Sequence, residues 1–406
     1  MNTEVRPYWQ NHPATRELLA ANLQALTAPM TSSRGLPNIA YNDPRIFDVE
    51  RERVLGNTWA AIGYGSELPD PGFVMPVDFM GIPLMMVRGR DCGLKVFHNV
   101  CSHRGMKLVS EAQRLRTVIR CPYHSWSYDF DGQLKGTPLI GGAGRNTCEG
   151  FDKSEHGLRP VRFALWMDIV FVNLSGRACD FDDFIAPLET RWSEYLGARD
   201  SSNVRPGDTG GCLELDVTCN WKLAVENYCE AYHLPWVHPG LNSYSPLDQH
   251  FNILEGDSMS GQGTYHYEPA SIAGIRMPLI DGWPSDRLNH AEYLALYPNT
   301  LLGVQADHVF SVIVAPQRPD RSVEKLQILY AGDAATADRY AACRESVRDR
   351  WETVFREDVC AVEGLQAGRN SPGFGGGILT PVQDAPTHHF HRWVASSYAT
   401  AIDSVC

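Results

Sequence analysis

Two short motifs constrain this chain more than any other feature of its sequence. The first is Cys101-Ser-His103 and the second is Cys121-Pro-Tyr-His124, with 17 residues between them. Each motif pairs one thiol with one imidazole, and both groups are common metal ligands in proteins. The chain is therefore expected to fold around a metal centre held by two loops at the tips of rigid strands.

The mixed order of these ligands separates two kinds of metal site. Zinc fingers usually keep their cysteines together and their histidines together. Here each half-site is mixed, and two cysteines with two histidines are the ligand set of a Rieske [2Fe–2S] centre. We therefore predict that a [2Fe–2S] cluster binds to Cys101, His103, Cys121 and His124. Neutral imidazoles in place of two thiolates raise the reduction potential of such a cluster.

The segment between the two motifs is basic in an acidic chain, whose net charge is −12. It has one acidic residue, Glu111, and five basic residues: Arg104, Lys107, Arg114, Arg116 and Arg120. Such a run is either a solvated loop without a partner or a docking surface for an acidic electron donor. The sequence leaves both interpretations open.

The length and composition are typical of a globular protein with several domains. The 406 residues, 43% hydrophobic and 21% charged, suffice for two or three domains. No run of about 18 apolar residues is present, so no membrane span is expected. The N-terminus lacks the features of a secretory signal, and 11 scattered cysteines suit a reducing cytoplasm. The negative net charge argues against a nucleic-acid partner.

Local patterns predict an N-terminal segment and two domains. Leucines at helical spacing over residues 13–29 indicate a helix, and residues 1–44 are expected to pack on the larger domain. Residues 45–175 are predicted to form a small all-β domain, and residues 176–406 an α+β domain with helices packed on an antiparallel sheet. The predicted strands are Trp59–Ile62, Ile82–Val87, Leu94–Phe97, Val118–Cys121, Val161–Asn173, Thr264–Tyr267, Thr300–Val304, Val309–Ala315 and Lys325–Tyr330.

The first of two helices predicted in the larger domain, residues 220–233, leads to a second candidate metal site. His233 and His238 are five residues apart, which would separate them by about 140° on an undisturbed helix. Pro235 lies between them and must kink or end the helix, so His238 can swing back beside His233. Two histidines that flank a helix break are candidate metal ligands.

The second predicted helix, residues 334–367, offers the carboxylate that two histidines need to bind non-haem Fe(II) with open coordination positions. Asp358 falls on the buried apolar stripe of this helix, whereas Glu357 falls off it. A carboxylate on a buried face is unfavourable unless it meets a cation, and a metal ion supplies one. A salt bridge or a helix-end carboxylate is the alternative. We predict that mononuclear Fe(II) binds to His233, His238 and Asp358.

Two polar residues share the predicted helix face of His233. Glu230, three residues before this histidine, is either a fourth ligand or a carboxylate that accepts the second N–H of the metal-bound imidazole. We favour the second role, in which Glu230 orients the histidine and relays an electron or a proton. Asn227 lies on the same face, and Glu230 and Asn227 are therefore the candidate catalytic residues.

With both sites in place, the chain resembles the terminal oxygenase (α) component of the Rieske non-haem iron oxygenases, the aromatic ring-hydroxylating dioxygenase group. The resemblance covers nearly the whole chain. It rests on the two Cys/His motifs, on the segment from Asn220-Trp-Lys to His238-Pro, and on Glu357-Asp358-Val with Gln366-Ala-Gly368. It implies a helix-grip, START-like fold for the larger domain and the same cluster and iron ligands.

The resemblance also implies partners. An NAD(P)H-dependent flavin and iron–sulfur reductase, or a ferredoxin, would reduce the cluster, which then passes electrons to the iron for use with O₂. A head-to-tail homotrimer is implied, in which electrons cross between subunits through an acid at the position of Glu230. That acid is commonly Asp in the family. Glu at this position resembles the branch that oxidises quaternary ammonium compounds such as carnitine and glycine betaine.

Three functions follow as hypotheses. The first is monooxygenation of a small amine or quaternary ammonium compound in an aromatic cage. The second is hydroxylation of an aromatic ring in an apolar pocket made by the same side chains. The third is an iron–sulfur electron carrier without oxygenase activity, which the complete set of candidate iron ligands argues against. The alternative for the candidate cage residues is that most of them are ordinary core residues. They are Tyr228, Tyr232, Trp236, Tyr244, Tyr265, Tyr267 and Trp283.

Overall fold

The chain folds into two compact units in its computed structural model. The described residues are 27, 34–197, 203–207, 212–272 and 274–403, with side chains as far as residue 399. Residues 62–176 form the smaller unit, and the described residues before and after them form the larger one. The predicted boundary near residue 175 lies beside the observed one. The first boundary shifts from residue 44 to residue 61, because residues 45–61 belong to the larger unit.

The smaller unit is built from short antiparallel strands. These are β1 (Ala60–Tyr64, which begins in the larger unit), β2 (Phe73–Phe79), β3 (Ile82–Arg88), β4 (Leu94–His98), β5 (Gln113–Arg114), β6 (Ile119–Arg120), β7 (Ser127–Tyr128), β8 (Leu134–Gly136), β9 (Arg162–Trp166) and β10 (Ile169–Asn173). They form sheets with the orders β4-β3-β2-β5, β6-β7-β8 and β1-β10-β9. The small all-β domain that the sequence predicts is confirmed.

The apolar core of the smaller unit lies directly behind the two Cys/His motifs. Both Cys101 and Cys121 belong to this core, together with Trp126 and Tyr128 just after the second motif. Burial of these side chains anchors the base of each motif, so the loops project from a rigid support. One predicted strand is wrong: Val161–Asn173 is the hairpin of β9 and β10, whose turn has positive φ at Met167 and Asp168.

The larger unit packs helices on one antiparallel sheet. Its strands are β11 (Val204–Pro206), β12 (Leu213–Val217), β13 (His250–Glu255), β14 (Met259–Thr264), β15 (Ser271–Ile272), β16 (Ile275–Arg276), β17 (Ala291–Leu296), β18 (Thr300–Gln305), β19 (His308–Arg318) and β20 (Arg321–Ala331). The main sheet has the order β11-β20-β19-β18-β17-β14-β13, with β12 also paired to β20, and β15 pairs with β16.

The helices of the larger unit place the segments that carry the second candidate site. They are α1 (Ile39–Asn42), α2 (Pro44–Val49), α3 (Phe181–Leu196), α4 (Trp221–Cys229), α5 (Leu234–Val237), α6 (Pro239–Tyr244), α7 (Ala341–Gly368) and α8 (Ala385–Asp403), and a π-helical stretch, Glu50–Val54, follows α2. Helix α4 packs on β14, β17 and β19, and α7 packs against α4. Within the described ranges, no helix is both long enough and apolar enough to cross a membrane.

Several local predictions for the larger unit need correction, although the α+β class is confirmed. The predicted helix 220–233 ends early as α4, and the predicted helix 334–367 begins later as α7. The predicted strand Thr264–Tyr267 is wrong, because the strand is β14, which ends at Thr264. The sequence of β14, Met-Ser-Gly-Gln-Gly-Thr, is poor in strand-favouring residues, so packing between β13 and β17 determines it. The predicted helix 13–29, except for Thr27, lies outside the described residues.

Candidate metal centres and active site

The two Cys/His motifs form matching loops. In the first loop, the Cys101 N–H donates to the Met106 carbonyl at 2.8 Å, and the Gly105 N–H donates to the Cys101 carbonyl at 3.0 Å. The second loop repeats both bonds at the same distances around Cys121, with Ser125 in the place of Gly105. Both Gly105 and Ser125 have positive φ, 75° and 59°. The two loops therefore share one backbone turn, although the histidine is the second residue after Cys101 in the first loop and the third residue after Cys121 in the second.

The loops bring the four predicted cluster ligands together. The Cys101 and Cys121 side chains are buried, whereas His103 is exposed at the loop tip and His124 is half-buried. The two imidazole rings lie 4.7 Å apart between centroids. Partial desolvation of the ring by its neighbours, the charge of His124 and the charge of Arg104 lower the pKa of the exposed His103. This shift favours the neutral imidazole, the form that binds metals.

These residues fit a [2Fe–2S] cluster. The Nδ1 atom of His124 is buried and has no hydrogen-bond partner among the described residues, and a metal bond would satisfy it. Burial raises the pKa of the Cys101 thiol, so a thiolate there needs a nearby cation such as iron. The Tyr128 hydroxyl lies 3.2 Å from Cys101 Sγ and 2.9 Å from Ser102 Oγ. A hydrogen bond to a ligand sulfur tunes the potential of such a cluster.

In the larger unit, the chain leaves the helical conformation before His233. Helix α4 ends one residue before Glu230, which is extended with φ −123° and ψ 161°. Pro235 lies in the first turn of α5, where the missing N–H has little effect. His238 lies between α5 and α6, directly before Pro239, and proline disfavours the helical conformation of the preceding residue. The helix break exists, but Pro239 rather than Pro235 explains the position of His238.

The side chains of His233, His238 and Asp358 converge. Asp358 Oδ1 lies 2.9 Å from His238 Nε2 and 3.7 Å from His233 Nε2. One donor atom of each residue lies within 4.8 Å of the other two. Two imidazoles and one carboxylate form the donor set of a non-haem Fe(II) site that keeps free coordination positions. The three residues therefore fit a mononuclear iron.

A second carboxylate holds the other nitrogen of each histidine. Glu230 Oε1 lies 2.7 Å from His233 Nδ1, and Glu357 Oε2 lies 2.8 Å from His238 Nδ1. Because a carboxylate accepts hydrogen bonds, each Nδ1 carries the proton and each Nε2 can offer its lone pair to a metal. Burial opposes a charged His238, but the carboxylates of Asp358 and Glu357 outweigh it and raise the pKa of this imidazole, so a metal ion that binds Nε2 must displace the proton held there beside Asp358.

The two glutamates differ in how well the sequence indicated them. Glu230 was predicted to face His233 on one helix, and the structure brings them together through a turn instead. Glu357 was set aside because it falls off the buried stripe, and its side chain is indeed 35% exposed. The signal that could have identified it is its position beside Asp358, since a metal-bound histidine commonly donates its second N–H to a carboxylate.

Other polar side chains orient this site. Asn227 donates from Nδ2 to Asp358 Oδ1 at 2.6 Å, which places this predicted residue beside the carboxylate. Gln262 donates to the backbone carbonyl of Glu230 at 3.0 Å, and Gln262 Oε1 accepts from His250 Nδ1 at 2.6 Å. Sequence reasoning missed Gln262 and His250, because only the folded sheet brings β13 and β14 to the end of α4.

A partly open pocket lies beside the three converging residues. Its walls are mostly aromatic and aliphatic, and no lysine or arginine is among the lining residues. They are Asn227, Tyr228, His233, Leu234, His238, Leu241, His250, Gln262, Tyr293, Trp351, Val354, Phe355 and Asp358.

The predicted aromatic cage is mostly wrong. Of its seven members, Tyr228 lines the pocket. Tyr232, Trp236 and Tyr265 are exposed, with relative exposures of 44%, 70% and 55%. The aromatic walls come instead from the main sheet and from α7, namely from Tyr293, Trp351 and Phe355.

Two family models match this chain. The Rieske [2Fe-2S] domain matches residues 58–144, and the catalytic domain of the ring hydroxylating alpha subunit matches residues 209–400. The chain has the two domains of a Rieske oxygenase. The first match includes both Cys/His loops of this Rieske oxygenase, and the second includes the segments that carry His233, His238 and Asp358.

Curated relatives match most of the chain. The glycine betaine monooxygenase oxygenase subunit of Chromohalobacter salexigens is 28% identical, over 93% of this Rieske oxygenase and 90% of the relative. The carnitine monooxygenase oxygenase subunit of Escherichia coli is also 28% identical, over 89% of this chain and 93% of the relative.

Solved structures share the fold. The quaternary ammonium Rieske monooxygenase CntA has a TM-score of 0.75 at 22% identity, covering 93% of this Rieske oxygenase and 98% of that chain. Naphthalene 1,2-dioxygenase from Rhodococcus sp. has a TM-score of 0.74 at 19% identity, covering 95% of this chain and 98% of that chain. The near-equal scores indicate that the fold alone does not separate the two kinds of enzyme.

Proposed function

We propose that this Rieske oxygenase is a terminal oxygenase component that hydroxylates a small quaternary ammonium or amine compound as a monooxygenase. The observation that carries the proposal is the pocket, which has aromatic walls and the Asp358 carboxylate but no lysine or arginine among its lining residues. Aromatic faces attract a cation, and their apolar surface also suits its methyl groups. The similarity to glycine betaine and carnitine monooxygenase subunits supports the same substrate class.

The proposal assigns each metal to one unit. The [2Fe–2S] cluster would be held in the smaller unit by Cys101, His103, Cys121 and His124. The mononuclear iron would be held in the larger unit by His233, His238 and Asp358. When bound, this iron supplies the activation of O₂ that the protein side chains cannot provide.

The protein's own residues position and shield the reaction. Glu230 and Glu357 keep the protons of the two histidines on Nδ1, which fixes the direction of each ring. Asn227 holds one oxygen of Asp358. The apolar side chains of the pocket limit the water that reaches the reacting carbon, as the chemistry of a strong oxidant requires.

Electrons would come from NAD(P)H through a separate flavin and iron–sulfur reductase, or through a ferredoxin. We further propose a homotrimer in which Glu230 relays electrons to the iron site from the cluster of a neighbouring subunit. The exposed His103 and the five exposed basic residues of the loop between the motifs support docking of an acidic donor. A cytoplasmic location, where NAD(P)H is produced and cysteines stay reduced, is consistent with this role.

The alternative functions have less support. Hydroxylation of an aromatic ring fits the same fold, since naphthalene 1,2-dioxygenase is similar in structure. However, the two curated relatives described above act on quaternary ammonium compounds according to their names. An electron carrier without oxygenase activity would have no need for His233, His238 and Asp358 beside a pocket.

A product assay tests the proposal. The purified iron-loaded protein would be mixed with a reductase, NAD(P)H, isotopically labelled O₂ and panels of betaine-type amines and of aromatic compounds. We expect labelled oxygen in the oxidation products of at least one quaternary ammonium compound, with little peroxide. Labelled ring products without amine oxidation would favour the alternative enzyme. Reduction of the cluster without incorporation into either panel would favour the carrier.

A further inference from the structure

A buried chain of hydrogen bonds ends on one wall of the pocket. His308 Nδ1 lies 2.6 Å from Asp307 Oδ1, and Trp351 Nε1 lies 2.7 Å from His308 Nε2. Asp307, His308 and Trp351 are 2%, 1% and 3% exposed, respectively. Asp307 lies in the turn between β18 and β19 and His308 is the first residue of β19, whereas Trp351 lies on α7. The chain therefore links a sheet turn to the helix that carries Asp358.

The chemistry of the groups fixes the direction of these bonds. An indole N–H can only donate, so His308 Nε2 must accept the Trp351 proton. The proton of the neutral imidazole is then on Nδ1, from which it is donated to the Asp307 carboxylate. Because the Asp307 charge polarises His308, the imidazole becomes a stronger acceptor. The same polarisation increases the electron density of the indole ring.

The indole is held in a cluster of aromatic rings. Trp351 lies 4.2 Å from Phe310 and 5.9 Å from Tyr293 between ring centroids. Both Trp351 and Tyr293 line the pocket. Tryptophan is the strongest aromatic partner for a cation, and an immobile ring loses little entropy when a ligand binds. An apolar core position would not require a buried aspartate to hold the indole N–H.

We propose that Trp351 is the cation-binding wall of the pocket and that Asp307 and His308 are positioning residues that orient and polarise its indole. Trp351 then determines specificity by contacting the quaternary ammonium group, while Asp307 and His308 act through it. The inference rests on the proposed substrate class and extends it to a residue and its support.

Equilibrium binding measurements can distinguish binding that depends on the positive charge of a ligand from binding that depends only on its shape. The probes are a trimethylammonium compound, choline, and its neutral tert-butyl isostere, 3,3-dimethyl-1-butanol, titrated into the metal-loaded protein by calorimetry. Both probes fill similar space, but the charge of choline alone can interact with the π face. We expect the unmodified protein to prefer choline, and Trp351→Leu to reduce this preference by about tenfold.

The positioning role requires variants that leave the indole in place. His308→Leu removes the acceptor, and we expect it to reduce the preference for the cation by roughly threefold. In His308→Gln, the amide oxygen can still accept the indole proton, so we expect the preference to remain within about twofold. Iron content and the visible spectrum of the cluster check that each variant is folded and loaded.

The outcomes distinguish this inference from the proposed function. A preference for choline that is lost in Trp351→Leu, reduced in His308→Leu and retained in His308→Gln supports both. A preference that persists unchanged in folded Trp351→Leu or His308→Leu overturns the inference and leaves the substrate class intact. Equal weakening of both probes in these variants also overturns it, because a merely structural role predicts that result. Absence of a preference in the unmodified protein overturns both.

Discussion

The two candidate metal sites differ in how far apart their residues lie in the sequence and in how much solvent reaches them. The cluster residues lie between positions 101 and 124 on two matching loops, and His103 is exposed. The iron residues come from segments 120 positions apart, and His238 is 1% exposed. An exposed centre can receive electrons from another protein, whereas a buried centre beside a pocket can exclude water from a reaction.

The surroundings of the histidines differ as well. His103 stacks on Trp126 at 4.5 Å and lies against His124, without a carboxylate at hydrogen-bonding distance among the described contacts. In contrast, His233 and His238 each pair with a glutamate. The pairs fix the imidazoles of the iron site, and their negative charge would lower the potential of a redox cluster. Carboxylate pairing therefore suits the iron site and neutral packing suits the cluster site.

The substitution with the largest expected effect is Asp358→Ala, which removes the carboxylate that both iron-site histidines face. We expect mononuclear iron and turnover to be lost, because two imidazoles alone hold Fe(II) weakly. The visible spectrum of the cluster should be retained, since its loops contain no residue of α7. Iron analysis, absorption spectra and product formation measure the three results. Asp349→Ala, an exposed carboxylate on the same helix, is the control. Turnover that persists would show that another residue is the third ligand.

A smaller effect is expected for Glu230→Gln. Glutamine can still accept the His233 Nδ1 proton, so both metals should stay bound, but the negative charge is removed. We expect turnover and single-turnover oxidation of the reduced cluster to slow by about 10–100-fold. Glu268→Gln makes the same change at an exposed position of the larger unit. Normal single-turnover kinetics in Glu230→Gln would refute the relay role, whereas loss of iron would indicate a direct ligand.

A still smaller effect is expected for Glu357→Gln, which weakens the partner of His238 without removing a hydrogen-bond acceptor. We expect iron affinity to fall by about tenfold, with the potential of the cluster unchanged. Competition with a chelator measures the affinity, and Glu345→Gln on the exposed side of α7 is the control. An affinity equal to that of the control would mean that the contact between Glu357 and His238 is incidental.

The distance in sequence between the residues of each site explains what the sequence could predict. The cluster loops depend on local spacing and on turns within each motif, so Cys101 to His124 could be recognised directly. Asp358 could be selected because a buried stripe makes a carboxylate conspicuous. Glu357, Gln262 and His250 could not, since their roles depend on which segments the sheet brings together.

Although the fold class was predicted correctly, some helices were not, for related reasons. Helix α4 ends at Cys229 without a glycine or a proline at its end, and a tertiary hydrogen bond from Gln262 to the carbonyl of the next residue, Glu230, takes the place of a local stop signal. Helices α3 and α8 were missed. In α3, Pro187 lies inside the helix, which counts against a helix in any local reading. Contacts that form only after folding therefore decided these elements.

The smallest expected effect concerns the basic loop between the two motifs, which lies beside the solvent-exposed cluster site. Arg104, Lys107, Arg114, Arg116 and Arg120 are all exposed. If they dock an acidic electron donor, raising the ionic strength from about 0.01 M to about 1 M should slow reduction of the cluster, because the Debye length falls from about 30 to about 3 Å. Stopped-flow absorbance measures this rate.

Charge reversal sharpens this last prediction. Arg116→Glu should slow reduction roughly threefold at low salt and have little effect at high salt, since complementary charge mainly accelerates encounter. Arg339→Glu, at an exposed position of the larger unit, makes the same change in net charge and should leave the rate unaltered. Equal slowing in both variants would mean that overall charge matters rather than the loop. A rate independent of salt would show that the loop is a solvated segment without an acidic partner.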